Sequence, residues 1–241
     1  MKKKTLIITG TTNGIGKAIV QRLKGEFYII AINRRNDNCV DENIICDLSN
    51  IDAVVSLCND LSQYKVDVLI NNAGGSYPCT FTDISFDNAI SDINLNFVSP
   101  MLLMQSIIKG MLVQGYGNIV NISSISSKAP TPYLHIYSAA KSALDSLTKS
   151  CAIAYGNNNI TINSVCPGAV DTAMSIEGRK RLSKFHGLSE DRYQQLMIEG
   201  AGIGRMIHCE EVAHLVSFLI SEETRAISGQ SINICGTLEV N

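Results

Sequence analysis

The sequence predicts one α/β domain over residues 1–241, a doubly wound parallel sheet of the Rossmann type with about seven strands and helices on both faces. Three observations carry this prediction. Short, almost wholly apolar runs alternate with longer segments of helical periodicity, no linker, repeat or low-complexity tract interrupts the series, and 45% apolar content supplies a sizeable core for 241 residues.

The elements follow in order. "TLIIT" at 5–9 is the first strand, and 14–24 repeats its apolar positions at helical spacing. "FYIIAI" at 27–32 and "NIIC" at 43–46 are the next two strands, without the strict alternation of a half-exposed sheet. A helix over 50–63 leads to "DVLI" at 67–70, and a long helical stretch over 85–114 leads to "NIVNI" at 118–122. From Ile136 onward Tyr137, Ala140, Leu144, Leu147 and Cys151 recur every three or four residues, which predicts a helix with Tyr137 and Lys141 one turn apart on the same side. "ITINSV" at 160–165, a helix over 209–221 and "SINI" at 231–234 complete the series. The segment 172–204 is too long for a plain connection and is expected to be a functional flap.

Charged residues make up 17% and the formal net charge is −2, so bulk electrostatics points to neither nucleic acid nor an anionic membrane. A small molecule is the expected partner. The eight cysteines form no CxxC pair and no cluster of ligand type, and read as reduced packing residues with no metal site. "MKKKTLIITG" begins basic, but its apolar run is too short for a secretory leader, and no run reaches spanning length. A cytoplasmic protein is expected.

The first strand runs into "TGTTNGIG" at 9–16, the strand-to-helix junction where a dinucleotide fold binds pyrophosphate. Gly10 would permit the turn, Gly14 would let the backbone approach the phosphates, and Gly16 would let the helix pack closely, with the helix N-terminus favouring the anion. Thr9, Asn13 and Ile15 complete this candidate loop. The spacing is G-x3-G-x-G, and three glycines alone also fit a structural turn. The second strand ends at Asn33, Arg34 and Arg35. NAD-selective folds place a carboxylate at that tip, whereas arginine holds a 2′-phosphate, so NADP(H) is the preferred cofactor and NAD(H) is possible. Two arginines solvated in a surface turn are the plainer reading.

Several separated motifs agree with one another: "TGTTNGIG" at 9–16, "CDLS" at 46–49, "NNAG" at 71–74, "INL" at 93–95, "NISS" at 121–124, "YSAAK" at 137–141 and "CPGAVDTAM" at 166–174. With the late "GRMIHCEEVAHLVSFLISEE" and "ISGQSINICG", this ordered set resembles the compact, single-domain short-chain dehydrogenase/reductase family over nearly the full chain. The resemblance implies a catalytic tetrad of Asn94, Ser124, Tyr137 and Lys141. Tyr137 would give a proton to the alkoxide left by hydride transfer, its phenol made acidic by Lys141 and the oxidised nicotinamide. Ser124 would hydrogen-bond the substrate oxygen, Lys141 would also hold the nicotinamide ribose, and Asn94 would hold a water linking Lys141 to solvent. Asp47 would accept from the adenine amino group beside Leu48. Asn72 and Gly74 would line the adenosine ribose, Val170 would offer backbone bonds to the carboxamide, and Thr172 its hydroxyl to carboxamide or phosphate, with Ala73, Pro167 and Gly168 also binding the cofactor. Asp caps and strand-end valines are common enough to give these last positions ordinary structural readings too.

"EGRKRLSKFHG" in the flap groups Arg179, Lys180, Arg181 and Lys184 as a solvated helix face or as an attractor for a phosphorylated handle. Phe185, Tyr193, Leu196 and Met197 would give apolar cover, Tyr133 would line the cleft or lie exposed, and His186 and His208 have no necessary role. Small residues at 139, 143, 146, 150 and 154 let another helix approach, and the resemblance implies a homotetramer, with a homodimer next. Cys235 and Thr237 replace positions usual in the family, which weakens any inference about assembly through the carboxy-terminal arm. The expected activity is NADPH-dependent reduction of a ketone to a secondary alcohol, reversibly. A 3-oxoacyl reductase is the most populous specific version, and a hydroxy-acid, sugar or polycyclic alcohol dehydrogenase is the alternative that the flap length favours. An NADP(H)-sensing regulator is the non-enzyme reading, although Tyr137 and Lys141 are both retained. Sugar-nucleotide epimerases and dehydratases are usually longer.

Overall fold

A computed structural model describes residues 3–238 of the chain, so the outermost residues of the expected 1–241 domain lie outside the described residues. Seven strands form one parallel sheet in the order β3-β2-β1-β4-β5-β6-β7. They are β1 (Lys4–Thr9), β2 (Phe27–Asn33), β3 (Glu42–Ile45), β4 (Val68–Asn71), β5 (Gly117–Ile122), β6 (Ile160–Pro167) and β7 (Ser231–Ile234). Each lies within two residues of the run that predicts it.

Side chains alternate through this sheet into two cores. Leu6, Ile8, Ile29, Val68, Ile70, Val120 and Val165 face one side, under α1 (Gly14–Leu23) and α8 (Cys209–Leu219). Ile7, Ile30, Ile32, Leu69, Ile119 and Ile162 face the other, under α2 (Ile51–Leu61), α4 (Ser99–Gln114) and α5 (His135–Tyr155). Because both faces are covered, both sets of alternate residues must be apolar, which is why the strands read as continuous runs. The strand order reverses on either side of β1, and the crevice between the carboxyl ends of β1 and β4 is therefore the expected ligand position.

The predicted helix over 85–114 has an internal structure. Ser85 caps α3 (Phe86–Ile93) by accepting from Asn88 N at 3.3 Å, and α3 continues through a π-helical stretch, Asn94–Val98, into α4. Gly115 in left-handed conformation ends α4. At 29 residues, Phe86–Gln114 is long and apolar enough to cross a membrane by length and composition, contrary to the reading that no run reaches such length. Here its inner face, including Leu103, Met104, Ile107 and Met111, is buried against the sheet.

The segment 172–204 is more regular than expected. Thr172 caps α6 (Ala173–Phe185) by accepting from Ser175 N at 3.1 Å, and Ser189 caps α7 (Glu190–Gly200) by accepting from Arg192 N at 3.2 Å. Their polar surfaces and sparse buried residues lack a sustained apolar stripe, so periodicity alone does not find them.

Candidate active site

At the end of β1 the chain turns through Gly10, φ +72°, and Gly14, φ +54°, both in the left-handed region that favours glycine. Gly16 answers a closer constraint: a Cβ there would lie 2.0 Å from Gly10 O and 2.5 Å from Asn72 Nδ2. Asn72 donates to Thr9 O at 2.9 Å and Gly10 O at 2.8 Å, while Thr9 Oγ1 accepts from Asn72 N and Ala73 N. Asn72, read above as a ribose contact, is thus the clamp that holds the glycine loop against β4. Asn13 precedes α1 without a side-chain cap bond, and Ile15 packs on the core. Gly14 faces Thr172, whose methyl group would lie 3.2 Å from a Cβ placed there.

The tip of β2 is similarly engaged. Asn33 is buried, accepts from Thr11 N at 2.8 Å and donates to Thr11 Oγ1 and Asn43 Oδ1, so its side chain braces the glycine loop and β3. Arg34 and Arg35 are exposed beyond it. Asp37, absent from the sequence expectations, accepts from Thr11 Oγ1 at 2.5 Å and from Cys39 N at 2.9 Å, placing a carboxylate beside the loop. Only its position two residues past the arginines marked it, and no spacing rule singles it out. Asp47 accepts from Ser49 N and Oγ, bonds that lower its pKa, and Leu48 is buried next to it.

Ser124, Tyr137 and Lys141 meet in the next crevice. Ser124 ends the extended chain after β5 and caps a 3-10 turn, Ile125–Ser127, through Ser126 N at 3.1 Å. The Ser124 hydroxyl acts on the Tyr137 phenol, and Lys141 Nζ lies 5.7 Å from the Tyr137 ring centre. Lys141 is 3% exposed and donates to Ile122 O at 2.8 Å. Burial pushes its pKa down to about 8, opposed by the charge of Asp145. The Tyr137 phenol is pushed up by burial, with the Ser124 hydrogen bond opposing. The direction is opposite to the acidic phenol expected, because burial disfavours phenolate more than that bond favours it.

The expected place of Asn94 is taken by Asn96. Asn94 donates to Ser49 O at 3.1 Å, away from the lysine. Asn96 is fully buried in the π-helical stretch, donates to Gly75 O at 2.8 Å and Asp92 O at 2.9 Å, and accepts from Gly75 N. A Cβ on Gly74 would lie 3.0 Å from Asn96 Oδ1 and 3.4 Å from Lys141 Nζ, so all three share one small volume. The widened π turn rotates the later asparagine inward, which the "INL" motif by itself does not reveal.

On the far side of β6, Pro167 pairs with Ile234 and Gly168 lies against Cys235, where a Cβ would come within 2.8 Å of its Cα. Val170 bridges to Ile207, and the Thr172 hydroxyl is engaged as the α6 cap. Aromatic rings close the outer rim. Tyr133, φ +71°, stacks on Phe185 with ring centres 4.5 Å apart, His186 stacks on Tyr193, and Arg181 lies 4.3 Å above Tyr77. Tyr77, Asp92, Tyr133 and Tyr137 line one cleft. Arg179 is buried beside Asp171 at 3.8 Å and donates to Ser175, and Arg181 pairs with Glu177 at 3.6 Å. His208 opens α8, its backbone N–H bonded to Glu211. Among the described residues no group of three or more His, Cys, Asp or Glu side chains could hold a metal ion.

A parallel sheet with a glycine-lined helix start at its reversal point, and a Ser, Tyr and Lys group in the adjoining crevice, defines an NAD(P)-dependent oxidoreductase of Rossmann type acting on CH–OH or carbonyl groups. The loop fits a dinucleotide: its left-handed glycines lead into the start of α1, where the N-cap residue Asn13 makes no side-chain cap bond and the first-turn N–H groups suit a phosphate. Comparison with known proteins gives the family. Residues 4–183 match the short chain dehydrogenase family, and the chain belongs to it. It is 30% identical to a 7alpha-hydroxysteroid dehydrogenase of Bacteroides fragilis, covering 100% of this chain and 96% of that one. Among solved structures, a variant of actinorhodin polyketide ketoreductase with NADPH is 27% identical over 99% of each chain, TM-score 0.90. A 4-hydroxyisoleucine dehydrogenase complexed with NADH is 28% identical over 98% of each chain, TM-score 0.88.

Proposed function

We propose that this protein is an NADP(H)-dependent reductase that converts a ketone to a secondary alcohol, reversibly, with Tyr137 as proton donor. The observation that carries the reading is the meeting of Ser124, Tyr137 and Lys141 in one crevice beside the glycine loop. Bound nicotinamide supplies the hydride. Ser124 then orients the carbonyl oxygen, and Tyr137 passes its hydroxyl proton to that oxygen as negative charge develops there. The Lys141 ammonium stabilises the resulting phenolate and returns a proton, with Asn96 holding the resupply route at Gly74 and Gly75. Gly10, Gly14 and the start of α1 would hold pyrophosphate, and Lys141 a ribose hydroxyl.

The NADP(H) preference rests on Arg34 and Arg35, exposed past a β2 tip that carries no carboxylate. Asp37 is the opposing charge, drawn against Thr11. As substrate, an uncharged ketone with a flat apolar body fits better than one carried on a phosphorylated handle. Tyr77, Tyr133 and Phe185 supply the wall, whereas Arg179 and Arg181 already pair with Asp171 and Glu177. The α6–α7 segment would close over it. A homotetramer in the cytoplasm completes the proposal, its assembly supported by the outward face of α5 at Ala139, Ser146, Ser150 and Ala154.

The test is titration with NADPH and NADH by fluorescence, followed by a carbonyl screen at the nicotinamide absorbance with cyclohexanone, a 7-oxo steroid and an acetoacetyl thioester. Reduction of at least one carbonyl with NADPH is expected. Tight coenzyme binding with no turnover of any would favour the sensing regulator.

A further inference from the structure

We propose that Asp145 is a positioning residue that ties the Ser124 turn to the Tyr137–Lys141 helix and supplies the negative charge balancing the buried Lys141 ammonium. This rests on the reductase reading for its catalytic meaning but not for its test.

Asp145 lies one turn beyond Lys141 on α5 and is 6% exposed. A carboxylate so buried is ordinarily paired, yet its Oδ1 has no hydrogen-bond partner among the described residues. Its Oδ2 gathers groups from two other segments. Ser127 Oγ donates to it at 2.5 Å and lies 2.7 Å from Ser124 O, and Cys166 Sγ donates to it from β6 at 3.7 Å. Ser142, on the same helix, adds a bond to Ser127 O at 2.7 Å. One carboxylate thus joins the turn that carries Ser124, the helix that carries Tyr137 and Lys141, and the end of β6 that leads into Pro167 and Gly168.

The charge around it is sparse. On α5, Lys141 has Tyr137 and Asp145 for neighbours and bonds a backbone carbonyl, not a carboxylate. From β6 comes Cys166, whose thiol burial and Asp145 push up to about 12, so that it stays a neutral donor. From the residue that follows the 3-10 turn comes Lys128, acting on Cys166 while bonded to Ser231 O and Asn233 Oδ1. From α3 comes Asp92, acting on Tyr137. Asp145 is the carboxylate whose field favours the Lys141 ammonium against its burial.

The test uses the full chain labelled with 15N-lysine and follows the Lys141 Nζ resonance through pH, with amide hydrogen exchange over residues 124–128. In Asp145→Asn the Lys141 midpoint is expected to fall by about one pH unit, because the ammonium loses a counter-charge. In Asp145→Glu, which keeps the charge, it stays at the wild-type value. Exchange at Ser126 and Ser127 is expected to quicken about tenfold in Ser127→Ala, which cuts the tie and leaves the charge. A Lys141 midpoint unchanged in Asp145→Asn, or lowered equally in the Glu variant, overturns the charge role. Unaltered exchange in Ser127→Ala overturns the tie. Should Asp145→Asn not fold, Asp145→Ser, which also removes the charge, is read against Asp145→Glu in its place, and Ser127→Ala decides the tie. None of these readouts needs turnover, so loss of the reductase reading, seen as a wild-type protein inert to every carbonyl, is distinguished from failure here.

Discussion

At the scale of single residues, two asparagines separated by one leucine have different tasks, and the difference is testable. Asn96 shares its volume with Gly74 and Lys141, while Asn94 bonds Ser49 O. Asn96→Ala is expected to lower kcat by about 10²-fold, with Asn94→Ala near wild type, measured as NADPH consumption on the best ketone of the screen. Tyr137→Phe, which removes the proposed proton donor but keeps the ring, should cut kcat by about 10³-fold while NADPH affinity by fluorescence stays nearly intact. Normal turnover in that variant would exclude the mechanism. Arg34→Ala should weaken NADPH far more than NADH, and equal losses would reverse the proposed coenzyme preference.

At the scale of elements, the strands were legible because burial on both faces leaves an apolar run with little else to be, as "DVLI" and "NIVNI" illustrate. The helix bearing Tyr137 was legible from its repeat. Three things were not. The π turn at Asn94–Val98 changes which residue points inward without changing composition, the helices α6 and α7 carry no clear apolar stripe, and the Asn72 clamp joins residues distant in sequence. Gly16 belongs to that clamp: Gly16→Ala forces a methyl group onto Gly10 O and should cost about 3 kcal/mol in chemical denaturation, with coenzyme binding lost in parallel. The rim belongs to the rings. Phe185→Ala removes the stack on Tyr133 and is expected to raise KM for a cyclic ketone about threefold to tenfold with kcat little changed, whereas an unchanged KM would place the substrate elsewhere.

At the scale of the whole molecule, a buried lysine sets stability against the proposed chemistry. Lys141 has its pKa lowered from 10.5 to about 8, so below pH 8 the folded state bears the full cost of holding a proton it would rather release. That cost is on the order of 3 kcal/mol and shrinks as pH rises from about 8 toward 10.5, since the unfolded chain then binds more protons than the folded one. Lys141→Met should accordingly raise Tm at pH 7, with the advantage narrowing by pH 10, in an enzyme with no turnover; a lower Tm at both values would refute this. Light scattering of the purified protein tests the proposed tetramer. The cysteines add a practical handle. Cys39 is exposed beside Asp37, Cys58, Cys79, Cys151 and Cys209 are half-buried, and Cys46, Cys166 and Cys235 are buried. A thiol-reactive fluorophore should therefore attach there with some selectivity, and its emission would report when NADPH settles against the neighbouring turn, giving a real-time binding sensor without any engineered mutation.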